Sequence, residues 1–395
     1  MADKYIVSKS KLDLLANTIR TKAGETELLT IDQMIEIISN LSIGGSNNED
    51  MLQQRVDYNN SCYYLLSYYG GPNVDFIERL DTSNVTNMDF MFYYCTSLTT
   101  IPQLDTSKVT QMQHMFNNCQ RITTIPQLDT SNVVWMAGMF SNCTSLTTIP
   151  LLNTSNVTKM YNMFEGCSAL TTIPQLDTSN VTDMEYMFSK CAKLTTIPLL
   201  NTSNVTDMQY MFYYCKALTT IPQLDTSNVT NMQYMFSNCT SLTTIPLLNT
   251  SNVTKMAQMF NYCSSLTTIE GLNLNSVTSI SNIFRNCTNL TNLNLTNIRV
   301  NLTVGSASTY GHLLTVDSLV GLCKECINYN NSTTRTLTVG SANLTKLADV
   351  YVKFTDTTQT TIATGEKGEV EVCESTDDGA MTITEYMQLK KWNLA

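Results

Sequence analysis

The chain repeats itself every 24 residues. Nine units begin at Leu80, Leu104, Leu128, Leu152, Leu176, Leu200, Leu224, Leu248 and Leu272, and the first reads LDTSNVTNMDFMFYYCTSLTTIPQ. A unit this short cannot bury an apolar face alone. It must stack on its neighbours, so a fixed period in the twenties dictates a solenoid rather than a compact core. An elongated array also accommodates 395 residues more readily than one globular core would.

Within a unit, Leu98, Ile101 and Leu104 mark a short extended segment interrupted by Pro102, and Asp105-Thr106-Ser107 carries turn and helix-cap chemistry. Met88, Met91, Phe92 and Cys95 then fall at i, i+3, i+4 and i+7, which predicts a short helix with one inward apolar stripe. The expected fold class is therefore α/β, a coil of parallel strand, turn and short helix. Nine strands about 4.8 Å apart would extend on the order of 45 Å, as a rod or shallow arc.

The cysteines at 95, 119, 143, 167, 191, 215, 239, 263 and 287 share one position on that stripe, and read as a buried ladder of small apolar side chains. All should point inward from identical backbone sites, which makes a bridging torsion difficult. An odd total of thirteen, in a sequence with no apolar secretory segment, also points to reduced thiols. No histidine lies at a regular offset from the ladder, so it is not expected to bind metal.

The unit [LN]-[DN]-T-S-N-V-T-x-M-x-x-M-F-x-x-C-x-x-L-T-T-I-P resembles the BspA-type leucine-rich repeat, common on bacterial surface proteins and in phage-encoded proteins. The resemblance covers residues 80–295 and implies a leucine-rich-repeat solenoid. Departures occur at Lys108, at Val134, and in the last unit, where Ile280 and Ile283 replace methionines and Asn294 replaces the proline. Fraying there is what a transition to a cap requires.

The flanks read differently. Residues 5–41 show two helical patterns separated by Gly24, the second opened by the capping box Thr30-Ile31-Asp32-Gln33. We assign 1–43 as a helical hairpin attachment segment, 44–50 as a flexible linker and the tyrosine-rich 51–79 as an N-terminal cap. Residues 296–395 are expected to form a C-terminal α/β cap, with strands near 300–304 and 337–339. A helix through Leu319, Leu322, Cys323, Cys326 and Ile327 should lie between them, and the capping box Thr382-Ile383-Thr384-Glu385 should open a closing helix containing Trp392. The N-terminal pattern S-K-x-x-L-D-x-L-A-N-x-I-R-x-K followed by x-T-I-D-Q-M-I resembles the N-terminal segment of phage and prophage tail-associated structural proteins, and the phrase T-L-T-V-G-S-A-N-L-T-K-L resembles the region that often closes these repeat arrays in phage-like proteins. That resemblance implies a virion structural protein, a tail fibre or appendage made in the host cytoplasm. It would be held by other virion or baseplate proteins through residues 1–43, trimeric as fibre-like virion proteins commonly are, and would contact a host surface glycan or protein. The alternatives are a BspA-like adhesin on a bacterial cell surface and a virion decoration protein that binds no host.

Catalytic chemistry is not expected. A net charge of -10 and a pI near 4.7 argue against nucleic acid, and no stretch is long and apolar enough to span a bilayer. His114 and His312 lack a neighbouring nucleophile pattern and read as surface residues. Cys323-Lys324-Glu325-Cys326 lies in an amphipathic helix without a second pair, so core packing is expected over redox or metal chemistry. No glycine-rich phosphate loop is present. The expectation is no enzyme, no cofactor and no metal. The Asn-Val-Thr triplets at Asn84, Asn156, Asn180, Asn204, Asn228 and Asn252 read as a side-chain ladder at the turn.

Comparison among the units separates what the fold fixes from what it leaves free. Equivalents of Asn87 include Trp135, Lys159 and Asp183, and equivalents of Phe90 include His114, Tyr186, Tyr210 and Tyr234. Tyr93 and Tyr94 recur as Tyr213 and Tyr214. This aromatic face is one candidate recognition surface, because tyrosine offers contact area at little entropic cost; relaxed drift on a solvated face is the alternative. The rival is the strand face of Thr99, Thr100 and Gln103, whose hydroxyl ladder would suit a repeating polymer such as a polysaccharide. Gln-Leu-Asp and Leu-Leu-Asn junctions alternate at Leu151, Gln175, Leu199, Gln223 and Leu247, which implies a 48-residue duplication.

Overall fold

A computed structural model describes residues 60–66, 74–304, 314–328, 334–356, 358–363 and 366–395. The expected hairpin 1–43, the linker 44–50 and His312 lie outside the described residues. The units stack as coils, but the secondary structure within most of them differs from both expectations.

The segment expected to be helical is instead the ladder that joins coil to coil. The N–H groups of Met88, Phe90, Phe92 and Tyr94 donate to the carbonyls of Gln111, Gln113, Met115 and Asn117 in the following coil at 2.8–2.9 Å. Between them, Met91, Tyr93 and Cys95 close turns onto Met88, Phe90 and Phe92 at 3.0–3.3 Å. Phe90 (φ 58°) and Tyr94 (φ 60°) are left-handed, and the same two positions are left-handed in every unit as far as Asn282 and Asn286. Two left-handed residues four apart exclude an α-helix. The i, i+3, i+4, i+7 stripe is real but comes from consecutive turns. Met88, Met91, Phe92 and Cys95 are all fully buried.

The segment expected to be a strand lacks regular pairing for an equally local reason. Pro102, Pro126, Pro150, Pro174, Pro198, Pro222 and Pro246 remove the N–H that a ladder would need at that position. Where Glu270 and Asn294 replace proline, β1 (Thr268–Asn273) pairs in parallel with β2 (Asn292–Thr296). Elsewhere the coils are tied on this side by single bonds such as Thr147 N–H to Thr123 O (3.1 Å).

The core repeats with the coils. Phenylalanines 92, 116, 140, 164, 188, 212, 236, 260 and 284 stack with centroids 5.4–6.0 Å apart. The cysteines are buried and free, as the repeat implied, and each thiol also makes a bond: Cys119 Sγ donates to Phe92 O at 3.0 Å and Cys287 Sγ to Phe260 O at 3.0 Å. The asparagine ladder forms too, with Asn132, Asn156, Asn180, Asn204, Asn228 and Asn252 each donating to a serine carbonyl of the preceding coil at 2.7–2.8 Å, while Asn84 instead accepts from Lys108 Nζ at 2.8 Å. Residues 60–66 add a partial tenth coil, since Cys62, Tyr64 and Leu66 donate to Asn87, Asp89 and Met91 at 2.8–3.2 Å. It is followed by the short helix α1 (Val74–Arg79).

Beyond the repeats, β3 (Leu302–Thr303), β4 (Arg335–Thr338) and β8 (Trp392–Leu394) form a parallel sheet in the order β3-β4-β8. β5 (Tyr351–Phe354) lies between β6 (Val370–Cys373) and β7 (Met381–Thr382) in an antiparallel one. The expected helix forms as α2 (Val316–Glu325), capped by Thr315, but it stops short of Cys326 and Ile327, because Cys326 is extended and bridges Ile298. It is followed by α3 (Ser341–Leu347) and α4 (Ile383–Leu389), the latter opened by the Thr382–Glu385 capping box. Trp392 is not in that helix. Lys391 turns the chain (φ 57°) and Trp392 begins β8, donating its indole N–H to Ile327 O at 2.9 Å. Buried Lys390 donates to the carbonyls of Cys323 and Lys324 at 2.7 Å, satisfying the end of α2.

Two predictions follow from the thiol ladder. Burial pushes Cys95, Cys167 and Cys287 up to about 12, and the other rungs move in the same direction. An unfolded thiol ionises near about 8.5, so above that pH the folded chain binds more protons than the unfolded one. Each rung's contribution is complete below about 8.5 and is lost toward about 12, at about 1.4 kcal/mol per pH unit. Urea midpoints measured from pH 7.5 to 10 should therefore fall steeply, and Cys191→Ala should make the fall shallower. In native labelling at pH 8 with a thiol reagent, Cys373, the one cysteine that is not buried, should react while the other twelve do not.

Candidate functional site

Outside the core, the ladder segment presents Phe90, His114, Tyr186, Tyr210 and Tyr234 in one column, all in left-handed backbone (φ 52–58°). The structure brings these predicted residues together as two stacks. In the first, Tyr64 and Phe90 stack at 4.5 Å and Phe90 and His114 at 4.9 Å. In the second, Tyr186, Tyr210 and Tyr234 stack at 4.5 and 4.4 Å. Tyr93 stands edge-on to Phe90 at 5.4 Å with Tyr94 beside it at 4.6 Å; Tyr213 and Tyr214 repeat the arrangement on Tyr210 at 5.3 and 4.6 Å. Equivalent tyrosines thus stack at 4.4–4.5 Å, closer than the buried phenylalanines at 5.4–6.0 Å.

His114 is not an ordinary surface residue. Its imidazole covers Gly138, whose missing Cβ leaves the room it occupies, and Asn117 holds its Nδ1 at 2.9 Å. Burial pulls its pKa below the usual histidine value. Burial also pushes the Tyr210 phenol up, with Tyr234 and Tyr186 reinforcing the shift. Trp135 is 41% exposed in the bridge column between Gln111 and Lys159 and joins neither stack. The sequence comparison missed Tyr64, whose place in the column is hidden because its coil is offset by 26 residues rather than 24.

The rival face differs from its expectation. Thr99 and Thr100 are exposed. Gln103, however, is not free for a ligand, because its amide donates to Gln127 O at 2.7 Å, and Gln127, Gln175 and Gln223 likewise reach Leu151, Leu199 and Leu247 O at 2.7–2.8 Å. The leucines that alternate with them, Leu151, Leu199 and Leu247, are 64, 63 and 61% exposed. Each sits in a shallow depression of about 800, 750 and 610 Å³ respectively, bordered by the Asp and Asn side chains two residues further along.

Among the described residues no group of three or more His, Cys, Asp or Glu side chains could hold a metal ion, and no helix is long and apolar enough to cross a membrane. Cys323 and Cys326 are both buried.

No curated protein matches the chain. Among solved structures it is similar to a leucine-rich-repeat protein of T. pallidum, with 20% identity over 55% of this chain and 84% of that one, at a TM-score of 0.31. It is also similar to a leucine-rich cell surface protein of Faecalibacterium prausnitzii, with 21% identity over 55% and 78% at a TM-score of 0.26. A leucine-rich-repeat protein of Bacteroides ovatus shows 17% identity over 73% and 86% at a TM-score of 0.28. Residues 67–172, 147–241 and 216–309 match one family, and because these overlapping matches run through all nine coils and cover more than half the sequence, the chain belongs to the family described as Mycoplasma protein of unknown function, DUF285.

Proposed function

We propose that this chain is a non-enzymatic recognition protein of the leucine-rich-repeat adhesin kind, displayed at a surface, which contacts its partner through the aromatic column. The observation that carries the reading is backbone strain. Gly138, Asn162 and Asn282 occupy the same left-handed position and show that the coil does not need an aromatic ring there. A bulky side chain in this conformation costs roughly 1–3 kcal/mol, while a stacked pair returns about 0.5–1.5 kcal/mol. Five of the nine coils nevertheless carry Phe, His or Tyr at it. Strain held outside the core, where packing does not demand it, points to a binding role. Mutual stacking covers the ring faces, and the phenol hydroxyls bond along the stack from Tyr186 through Tyr210 to Tyr234, where Gln258 donates to the last of them. The ring edges are what remains for a partner, which favours a polypeptide or other partner rich in carbonyl acceptors, because aromatic edges are electropositive.

A bacterial cell surface fits this reading as well as a virion does. The virion alternative rests on the wording of residues 1–43 and of the C-terminal cap, and the comparisons give it no support. Its partners would be the baseplate proteins named above.

The test is a protein and glycan microarray probed with the labelled full chain and with the triple variant Tyr186→Asn, Tyr210→Asn, Tyr234→Asn. Asparagine suits the left-handed position, so the variant should unfold at an equal or higher urea concentration while its array signal falls at least tenfold. Equal signals from the two proteins, or none from either, would remove the aromatic column from the proposal.

A further inference from the structure

The alternation of Gln-Leu-Asp and Leu-Leu-Asn has a chemical consequence on the side of the coil that carries Thr99 and Thr100. In the aspartate coils, Asp129 and Asp177 accept the N–H and the hydroxyl of the serine two residues on through Oδ1, at 3.0 and 2.7 Å. Oδ2 is left facing solvent as an acceptor, and the serine bonds hold Asp177 below the usual carboxylate range. In the asparagine coils, Asn153 and Asn201 use Oδ1 for the same two bonds, at 3.1 and 2.8 Å. Only the carbonyl oxygen can accept them, so the outward atom must be the Nδ2 donor. The neighbouring column alternates in step: a glutamine folded onto backbone carbonyls, then a leucine more than 60% exposed.

One chemical repeat therefore spans two coils, about 10 Å at the spacing of hydrogen-bonded strands, and offers one acceptor, one donor and one apolar pad. A secondary acetamide presents the complement, with an N–H, a carbonyl and a methyl. We propose that this edge is a second binding surface, for an extended β-1,4-linked glycan carrying N-acetyl groups, read at one disaccharide per two coils. In such a chain successive sugars are turned by half a rotation, so a given edge shows one acetamide per disaccharide, a length close to that of two coils. A peptide strand is out of register, because its side chains recur on one face every ~6.6 Å. A polyproline helix has a pitch near about 9.3 Å, but its grooves are lined by aromatic rings, and none borders these three depressions. The exposed threonines alongside add hydroxyls suited to a hydroxylated polymer.

The probe is chitohexaose, titrated calorimetrically into the full chain, with cellohexaose and a (Pro-Pro-Gly)5 peptide as comparisons. Binding of chitohexaose should exceed that of cellohexaose at least tenfold and strengthen from the disaccharide through the hexamer in steps of one disaccharide. The triple variant Leu151→Gln, Leu199→Gln, Leu247→Gln installs a residue that alternate coils already carry, and should fold normally while losing binding at least tenfold. Tyr186→Asn, Tyr210→Asn, Tyr234→Asn should bind chitohexaose as the parent does, so loss here and loss at the aromatic column are separately visible. No heat with chitohexaose, equal binding of cellohexaose, a preference for the peptide, or an unaffected leucine variant would each overturn the proposal.

Discussion

The structure depends on the hydrogen bonds that run from Met88, Phe90, Phe92 and Tyr94 into the next coil and recur unit after unit. They demand that alternate N–H groups point along the solenoid axis, and the left-handed residues at 90 and 94 turn them that way. Once the backbone is so arranged, Met88, Met91, Phe92 and Cys95 fall inside while Phe90 and Tyr94 stand on the outer side. Phe92 stacks on Phe116 and Cys119 reaches back to Phe92 O because identical backbones place identical side chains one coil apart. The cysteine is thus more than a small apolar filler. Phe92 O already accepts Cys95 N–H at 3.1 Å, and the thiol occupies its second lone pair without bringing a charge into the core. Because each coil bonds only to its neighbours, stability accumulates along the array in the manner of a one-dimensional stack.

The same geometry decides where sequence can vary. Position 90 faces outward from a left-handed residue, so Gly138, Asn162 and Gln258 serve there as well as Tyr210. The fold constrains the conformation of this column and leaves its chemistry open. Aromatic residues placed in it must remain near one another, since direct backbone hydrogen bonds join neighbouring coils there and the rings stack at 4.4–4.5 Å. Whatever touches this face therefore meets preassembled stacks, with side-chain freedom already lost before contact, which lowers the entropic cost of binding.

Much of this was legible in the sequence. The period, the buried set Met88, Met91, Phe92 and Cys95, the free thiols and the asparagine ladder all follow from repetition, which forces equivalent residues into equivalent places. The path of the backbone was not, because a pair of turns buries the same i, i+3, i+4, i+7 positions as a helix. The signal that could have separated them lay in the outward columns, where Asn162, Asn282, Asn118, Asn142, Asn238, Gly138 and Gly166 mark left-handed backbone. Pro102 and its equivalents were equally informative: a proline in every stacked strand denies the parallel ladder, and pairing returns where Glu270 and Asn294 stand in its place. At the candidate sites, the aromatic column could be read from unit comparison, while its stacking and the inward fold of the Gln103 amide depend on distances between coils that a linear pattern does not contain.

The two faces obey one rule from opposite directions. On the aromatic side, coils accept strained backbone that Gly138 shows to be avoidable. In the junction column, Leu151, Leu199 and Leu247 stand where glutamine would close the next coil's carbonyl, so each forgoes a bond worth about 1 kcal/mol and leaves an apolar side chain in water. Core packing explains neither choice, because the buried Met, Met, Phe and Cys repeat unchanged through the first eight coils whichever residue the two columns carry. A duplicated 48-residue unit accounts for how the leucines came to alternate with glutamines, but it gives the folded chain no advantage. On the proposed reading the compensation comes from outside the chain, from a partner that covers the leucines and engages the Asp and Asn atoms beside them.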